Sequence, residues 1–178
     1  MVPATSAATN TRERIQEVAR ELFAERGLRN TSLQDIASRL EITKPALYYH
    51  FSSRDDLVRT IVQPMVDDLE TFLAAEAPVG KRELLEDYFD VLWKHRVIMG
   101  IIVRDLAALG QLELGEWMFA WRRKLIGLLA GNRPSVAQMT RATVALGGLS
   151  DCTIEYADRS QRQVKQAAVD AALAALGS

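Results

Sequence analysis

Apolar residues return every three or four positions along nearly the whole of this 178-residue chain, and that one period excludes most architectures. Strand-like alternation and Asn-Gly hairpin signals are absent, so the chain reads as all helix. Ile15, Val18, Ala19, Leu22 and Phe23 form one stripe, which predicts a first helix from about Thr11 to Arg26, ended by Gly27. Ahead of it, residues 1–10 are small, polar and aperiodic, and they read as a flexible N-terminal arm. Thr31-Ser-Leu-Gln34 fits a capping box that opens a second helix, with Leu33, Ile36, Ala37 and Leu40 facing inward. After a short turn at Glu41-Ile42, Thr43 caps a third helix, and Pro45 falls in its first turn, where a missing N–H costs little.

Ser52 and Ser53 offer the next cap, and a fourth helix runs to about Ala77 with Pro64 removing one of its internal hydrogen bonds. Pro78-Val79-Gly80 interrupts the pattern. Further helices are expected at about Lys81 to Met99, Ile102 to Leu109, Leu112 to Ala130, Pro134 to Ala157 and Ser160 to Leu176. The expected architecture is an all-α chain of about nine helices, in which a three-helix unit over residues 11–60 joins a helical bundle over residues 61–178.

Composition narrows the functional classes. Hydrophobic residues at 48% and charged residues at 25% describe an ordinary globular chain. The single cysteine, Cys152, excludes an intramolecular disulfide framework and suits a reducing cytoplasm. The start lacks a basic, then apolar, leader, and no apolar run approaches the roughly 20 residues of a membrane span, so a soluble cytoplasmic protein without a membrane partner is expected. Net charge is −1, and up to Thr60 nine Lys/Arg stand against eight Asp/Glu, so any nucleic-acid site is a local patch.

The residues argue against an enzyme. Only His50 and His95 accompany the lone cysteine, Glu-x-x-His pairs are missing, and neither a phosphate-cradling glycine loop nor a nucleophile elbow appears. No metal or cofactor is implied. Cys152 reads as an inert thiol, and His95, continuing the stripe from Tyr88 to Leu92, reads as a hydrogen-bonded packing residue.

The third helix is the informative stretch. Two helices joined by a tight turn, with the second one short, make a helix-turn-helix arrangement. At about 100° per residue Leu47 and Phe51 lie together and can bury, which leaves Pro45 and Tyr49 on the opposite side, flanked by Tyr48 and Ala46. A helix entering a major groove has few exposed positions, and each must reach a phosphate or a base edge. Tyrosine does so with a stiff ring and a hydroxyl, and Lys44 adds positive charge at the helix start.

The segment "TSLQDIASRLEITKPALYYHFSSRDDL", Thr31 to Leu57, together with "IQEVARELFAERG" upstream, resembles the DNA-binding segment of the TetR family of bacterial transcriptional regulators. The resemblance covers roughly the first third of the chain. It implies that Thr31, Ser32, Thr43, Tyr48 and His50 meet the DNA backbone, that Lys44, Pro45, Ala46 and Tyr49 face base edges, and that Arg54 stands where a lysine is usual at the start of the fourth helix. At Glu41 the family often has glycine. If the turn requires positive φ, a glutamate there costs on the order of 1 kcal/mol.

By the same resemblance the bundle holds a small-molecule effector and pairs its last two helices in a homodimer, an arrangement suited to a palindromic DNA operator. Candidate pocket residues are Tyr88, Phe89, Leu92, Met99, Trp117, Met118 and Trp121. Candidate interface residues are Val136, Met139, Thr143, Leu146, Gly147 and Ser150 on one helix, with Ala168, Ala171, Ala172 and Ala175 on the last. The expected function is a sequence-specific DNA-binding regulator, a repressor released by a small molecule; the alternative is a small-molecule-binding protein of the same architecture that does not bind DNA.

Overall fold

The computed structural model describes residues 4–75, 80–105 and 114–177. Among these there are nine α-helices and no strand: α1 Ala4–Arg26, α2 Leu33–Arg39, α3 Lys44–His50, α4 Arg54–Ala74, α5 Lys81–Lys94, α6 Arg96–Arg104, α7 Leu114–Ala130, α8 Val136–Glu155 and α9 Gln161–Leu176. The all-α expectation is met. Two compact units are present, one of residues 4–64 with 100–105 and one of residues 65–75, 80–99 and 114–177.

The largest departures from the expected boundaries are at the start of α1 and around His95, where α6 begins at Arg96 instead of near Ile102. Helix α1 starts at Ala4 instead of near Thr11, so residues 4–10 are helical where an arm was expected. Alanine at positions 4, 7 and 8 favours helix without contributing an apolar stripe, which is why periodicity misses the start. The expected Lys81 to Met99 helix is broken at His95, which closes α5 with φ −106° and an N–H to the Leu92 carbonyl. His95 is buried, and its Nε2 lies 2.6 Å from Asp68 Oδ2, a tertiary contact that outweighs helical continuity. The parts of the expected helices at residues 106–109 and 112–113, the end near Ala77 and the break at Pro78 and Val79 lie outside the described residues.

In the first unit α2 packs on α1 and α3, and the buried residues include Ile15, Ala19, Leu22 and Phe23 of α1, Leu33, Ile36 and Ala37 of α2, Leu47 of α3, Phe51, and Leu57 and Ile61 of α4. Full burial of a side chain such as Leu47 or Phe51 is worth about 1.5–3 kcal/mol, and a seven-residue helix like α3 would not persist without it.

In the second unit, α8 and α9 pack most extensively on each other; α9 also packs on α5, and α7 and α5 pack on α8. Ser135 and Gln138 form a reciprocal capping box at the start of α8. Met65, Leu69, Leu85, Tyr88, Leu125, Leu146, Leu149 and Val169 are among the buried residues.

Candidate nucleic-acid interface

The approach to α2 is built one residue later than the sequence reading placed it. Ser32, not Thr31, is the N-cap: its hydroxyl oxygen accepts from the Asp35 N–H at 3.2 Å, and the Asp35 carboxylate accepts from the Ser32 N–H at 2.8 Å. Hydrogen bonds from the Ser32 hydroxyl and N–H hold the Asp35 carboxyl below its ordinary value. Gln34 instead bonds Ser38.

Thr31 is 1% exposed, and its Oγ1 lies 3.0 Å from the Gly27 carbonyl oxygen and 3.3 Å from that of Leu22. Its hydroxyl proton is directed into the protein, so the expected phosphate contact through this side chain is corrected to a structural role. Capping has moved to Ser32, which remains exposed.

The turn after α2 is a Schellman closure. The Ile42 N–H reaches the Ala37 carbonyl at 3.0 Å and the Glu41 N–H reaches that of Ser38 at 3.2 Å, with Glu41 at φ +55°. This is the left-handed position glycine usually fills, so the conditional cost at Glu41 applies. Thr43 then caps α3 by accepting from the Ala46 N–H at 3.3 Å, and Pro45 occupies the first turn, as read from the sequence.

Helix α3 has two sharply different sides. Leu47, together with Phe51 just past its end, has no exposed surface, whereas Tyr49 is 84% exposed and Tyr48 is 44% exposed. Lys44, Pro45 and Ala46 are exposed, and His50 is half-buried with its ring set edgewise to that of Tyr49 at 5.3 Å. Lys44 Nζ stands 5.7 Å from the Tyr48 ring centre, within cation–π range. The outward surface therefore carries one cation, two phenol hydroxyls and an imidazole on a short rigid support.

Arg54 is turned toward its own unit. Its Nη1 donates to the Leu28 carbonyl at 3.0 Å, tying the start of α4 to the loop between α1 and α2. Sequence reasoning missed Arg12, whose Nη1 donates to the His50 carbonyl at 2.6 Å and whose guanidinium lies 4.3 Å from the centre of the Phe51 ring. It also missed Arg29, whose Nε lies 2.9 Å from Asp105 Oδ1. Neither contact leaves a local signal, because each joins residues far apart in the chain.

In the second unit the expected pocket residues separate. Phe72, Tyr88, Trp121 and Trp117 form a run of ring contacts, with successive centroids 6.1, 5.8 and 6.2 Å apart. The Tyr88 hydroxyl lies 2.9 Å from Ser150 Oγ, and complete burial pushes its pKa up to about 12. Trp121 Nε1 is buried and makes no hydrogen bond among the described residues. Phe89 stacks instead on Trp93, Leu92 and Met99 are buried, and Met118 is half-buried. Trp117 also lines a surface cleft of about 590 Å³ with Glu116, Phe119, Ala120 and Arg123.

The expected interface stripe also separates. Val136, Met139, Thr143 and Ala171 are exposed, Gly147, Ser150 and Ala175 are half-buried, and Leu146, Ala168 and Ala172 are buried in the chain's own core. Those last three therefore face inward. Val144, at 59% exposure, extends the outward apolar surface of α8. Cys152 is half-buried, and burial followed by the nearby Asp151 charge raises its thiol pKa. Among the described residues no three His, Cys, Asp or Glu side chains gather as a metal site, and no helix is long and apolar enough to cross a membrane.

Residues 15–61 match the family model described as bacterial regulatory proteins, tetR family. The HTH-type transcriptional repressor KstR2 of Rhodococcus jostii is 42% identical over 65 residues, covering 36% of this chain and 32% of that protein. The HTH-type transcriptional repressor Rv3405c of Mycobacterium tuberculosis is 31% identical over 99 residues, covering 56% and 50%. The chain thus matches between about a third and a half of the length of these curated relatives.

A transcriptional regulator from Aquifex aeolicus superposes with a TM-score of 0.72 at 26% identity, covering 90% of this chain and 96% of that one. The ketosteroid transcriptional regulator KstR2 of Mycobacterium tuberculosis superposes at 0.67 and 20% identity, covering 94% and 93%, a likeness of fold alone. The helix-turn-helix segment of this chain belongs to the tetR family of bacterial regulatory proteins.

Proposed function

We propose that this protein is a sequence-specific DNA-binding transcriptional regulator that acts as a homodimer on a palindromic operator and represses until a small-molecule effector releases it. The observation that carries the DNA-binding part is the two-sidedness of α3, with Leu47 and Phe51 buried and Tyr49 open to solvent. A tyrosine left 84% exposed on a helix this short, touching only the edge of the neighbouring His50 ring, is suited to a contact outside the chain. Lys44, Pro45, Ala46 and Tyr49 then face base edges, while Ser32, Thr43, Tyr48 and His50 meet phosphates. Arg54 contributes positive charge from behind, its guanidinium being partly engaged by Leu28.

The relatives named as repressors support the regulatory sense. The exposed Val136, Met139, Thr143, Val144 and Ala171 supply an apolar surface on α8 and α9 suited to self-association. The aromatic run through Tyr88 and Trp121, with its unpartnered indole N–H, suits an apolar effector that bears a hydrogen-bond acceptor.

Selection of bound duplexes from a random pool tests this reading. Recovery of inverted repeats with half-sites about one helical turn apart supports it. A pool that stays random overturns it.

A further inference from the structure

The base-reading helix is short enough that its orientation depends on what holds its two ends. At its N-terminus Thr43 caps the chain locally. At its C-terminus the last carbonyls of a helix have no partner within it, and in α3 the His50 carbonyl is taken by Arg12 of α1. The same guanidinium lies over the Phe51 ring, and Phe51 is the fully buried residue on which the helix end turns.

Two favourable terms converge on this one side chain. A cation at a helix C-terminus is stabilised by the exposed carbonyl dipoles. A flat guanidinium over an aromatic face gains a further cation–π attraction, and it fixes the ring against which the helix is set. Tyr48, Tyr49 and His50 occupy the same final turn, so a change of angle at this end moves the very groups that would meet DNA.

We infer that Arg12 is a positioning residue for DNA recognition: by clamping the His50 carbonyl and the Phe51 ring it sets the angle of α3, and with it the base preference of the protein. This rests on the proposal that α3 reads DNA. Arg12 itself need not touch a base or a phosphate.

The test compares wild type, Arg12→Gln and Arg12→Lys on the duplex recovered by selection and on a scrambled duplex, across a salt series, with thermal melting measured in parallel. Positioning predicts that Arg12→Gln lowers the ratio of specific to scrambled affinity about tenfold while the salt slope stays as in wild type. Arg12→Lys, which keeps the charge and loses the flat fork, falls between the two. A specific-to-scrambled ratio unchanged in Arg12→Gln overturns the inference; if that variant does not fold, an unchanged ratio in Arg12→Lys does so. Equal loss on both duplexes with the slope reduced by about one also overturns it, because that pattern marks a phosphate contact. If wild type selects no duplex, the DNA-binding reading and this inference fall together; if only the Arg12 ratios are unchanged, the DNA-binding reading stands.

Discussion

Two residues apart in one short helix, Leu47 has no exposed surface and Tyr49 keeps 84% of its own. The first fixes α3 in the core, and the second has no part in that core, its one ring contact being with the adjacent His50. Removing the Tyr49 side chain should therefore separate stability from recognition. Tyr49→Ala is expected to change unfolding free energy by no more than about 0.5 kcal/mol, while discrimination at the base pair it faces falls by about 1–3 kcal/mol. Denaturant melts together with site selection on the variant check both; base preferences equal to wild type reject the base-reading role.

Glu41 sits at φ +55° in the Schellman turn between α2 and α3. Glu41→Gly should relieve that strain and stabilise the protein by up to about 1 kcal/mol, partly offset by the greater freedom of glycine when unfolded. For a chain of this size the melting temperature should rise by roughly 2–4 °C per kcal/mol. Removing the negative charge should also leave DNA affinity no weaker than before. A lower melting temperature would contradict the assignment of strain.

Thr31 is buried, with its hydroxyl between the carbonyls of Gly27 and Leu22. Thr31→Val keeps the shape and deletes the donor, so a loss of about 1–2 kcal/mol in stability is expected. The salt dependence of DNA binding should be unchanged, since no phosphate contact is removed. A reduced slope with unchanged stability would return Thr31 to the interface.

Hydrogen bonds from Lys94 and then His95 hold the Asp68 carboxyl below its ordinary value of 3.8. A carboxylate with a depressed folded-state pKa stabilises the fold above its ordinary pKa, and that stabilisation disappears as pH falls through the folded value. Asp68→Asn should therefore melt below wild type at neutral pH, with the gap closing as pH falls below about 4. A pH-independent gap would mean that packing, not charge, is lost.

How much of this was legible in the sequence follows from the range of each interaction. The burial of Leu47 and Phe51 is readable because the two stand four apart on a helix, and geometry alone puts them on one side. Thr43 is readable for the same local reason. The first cap is not: Thr31 with Gln34 and Ser32 with Asp35 both fit a capping pattern, and the choice is made by the Leu22 and Gly27 carbonyls that α1 brings to Thr31. Arg12 gives no sign at all, since its partner is 38 residues away. In α8 the stripe from Val136 to Ser150 is genuine helical spacing, yet it runs across both sides of the helix, so Leu146 turns inward while Val136 and Met139 stay outside. The period tells that a face exists; which neighbour covers it is decided by the rest of the chain.

The decisive measurement is the affinity of the full chain for the selected duplex and for a scrambled one, followed by fluorescence anisotropy from about 50 to 200 mM salt. If α3 offers its tyrosines and Lys44 to the groove, the selected duplex binds at least about a thousandfold more tightly at one fixed salt, and affinity for both duplexes falls steeply as salt rises. Equal affinity for the two duplexes, or no binding to either at about 50 mM salt, would contradict it.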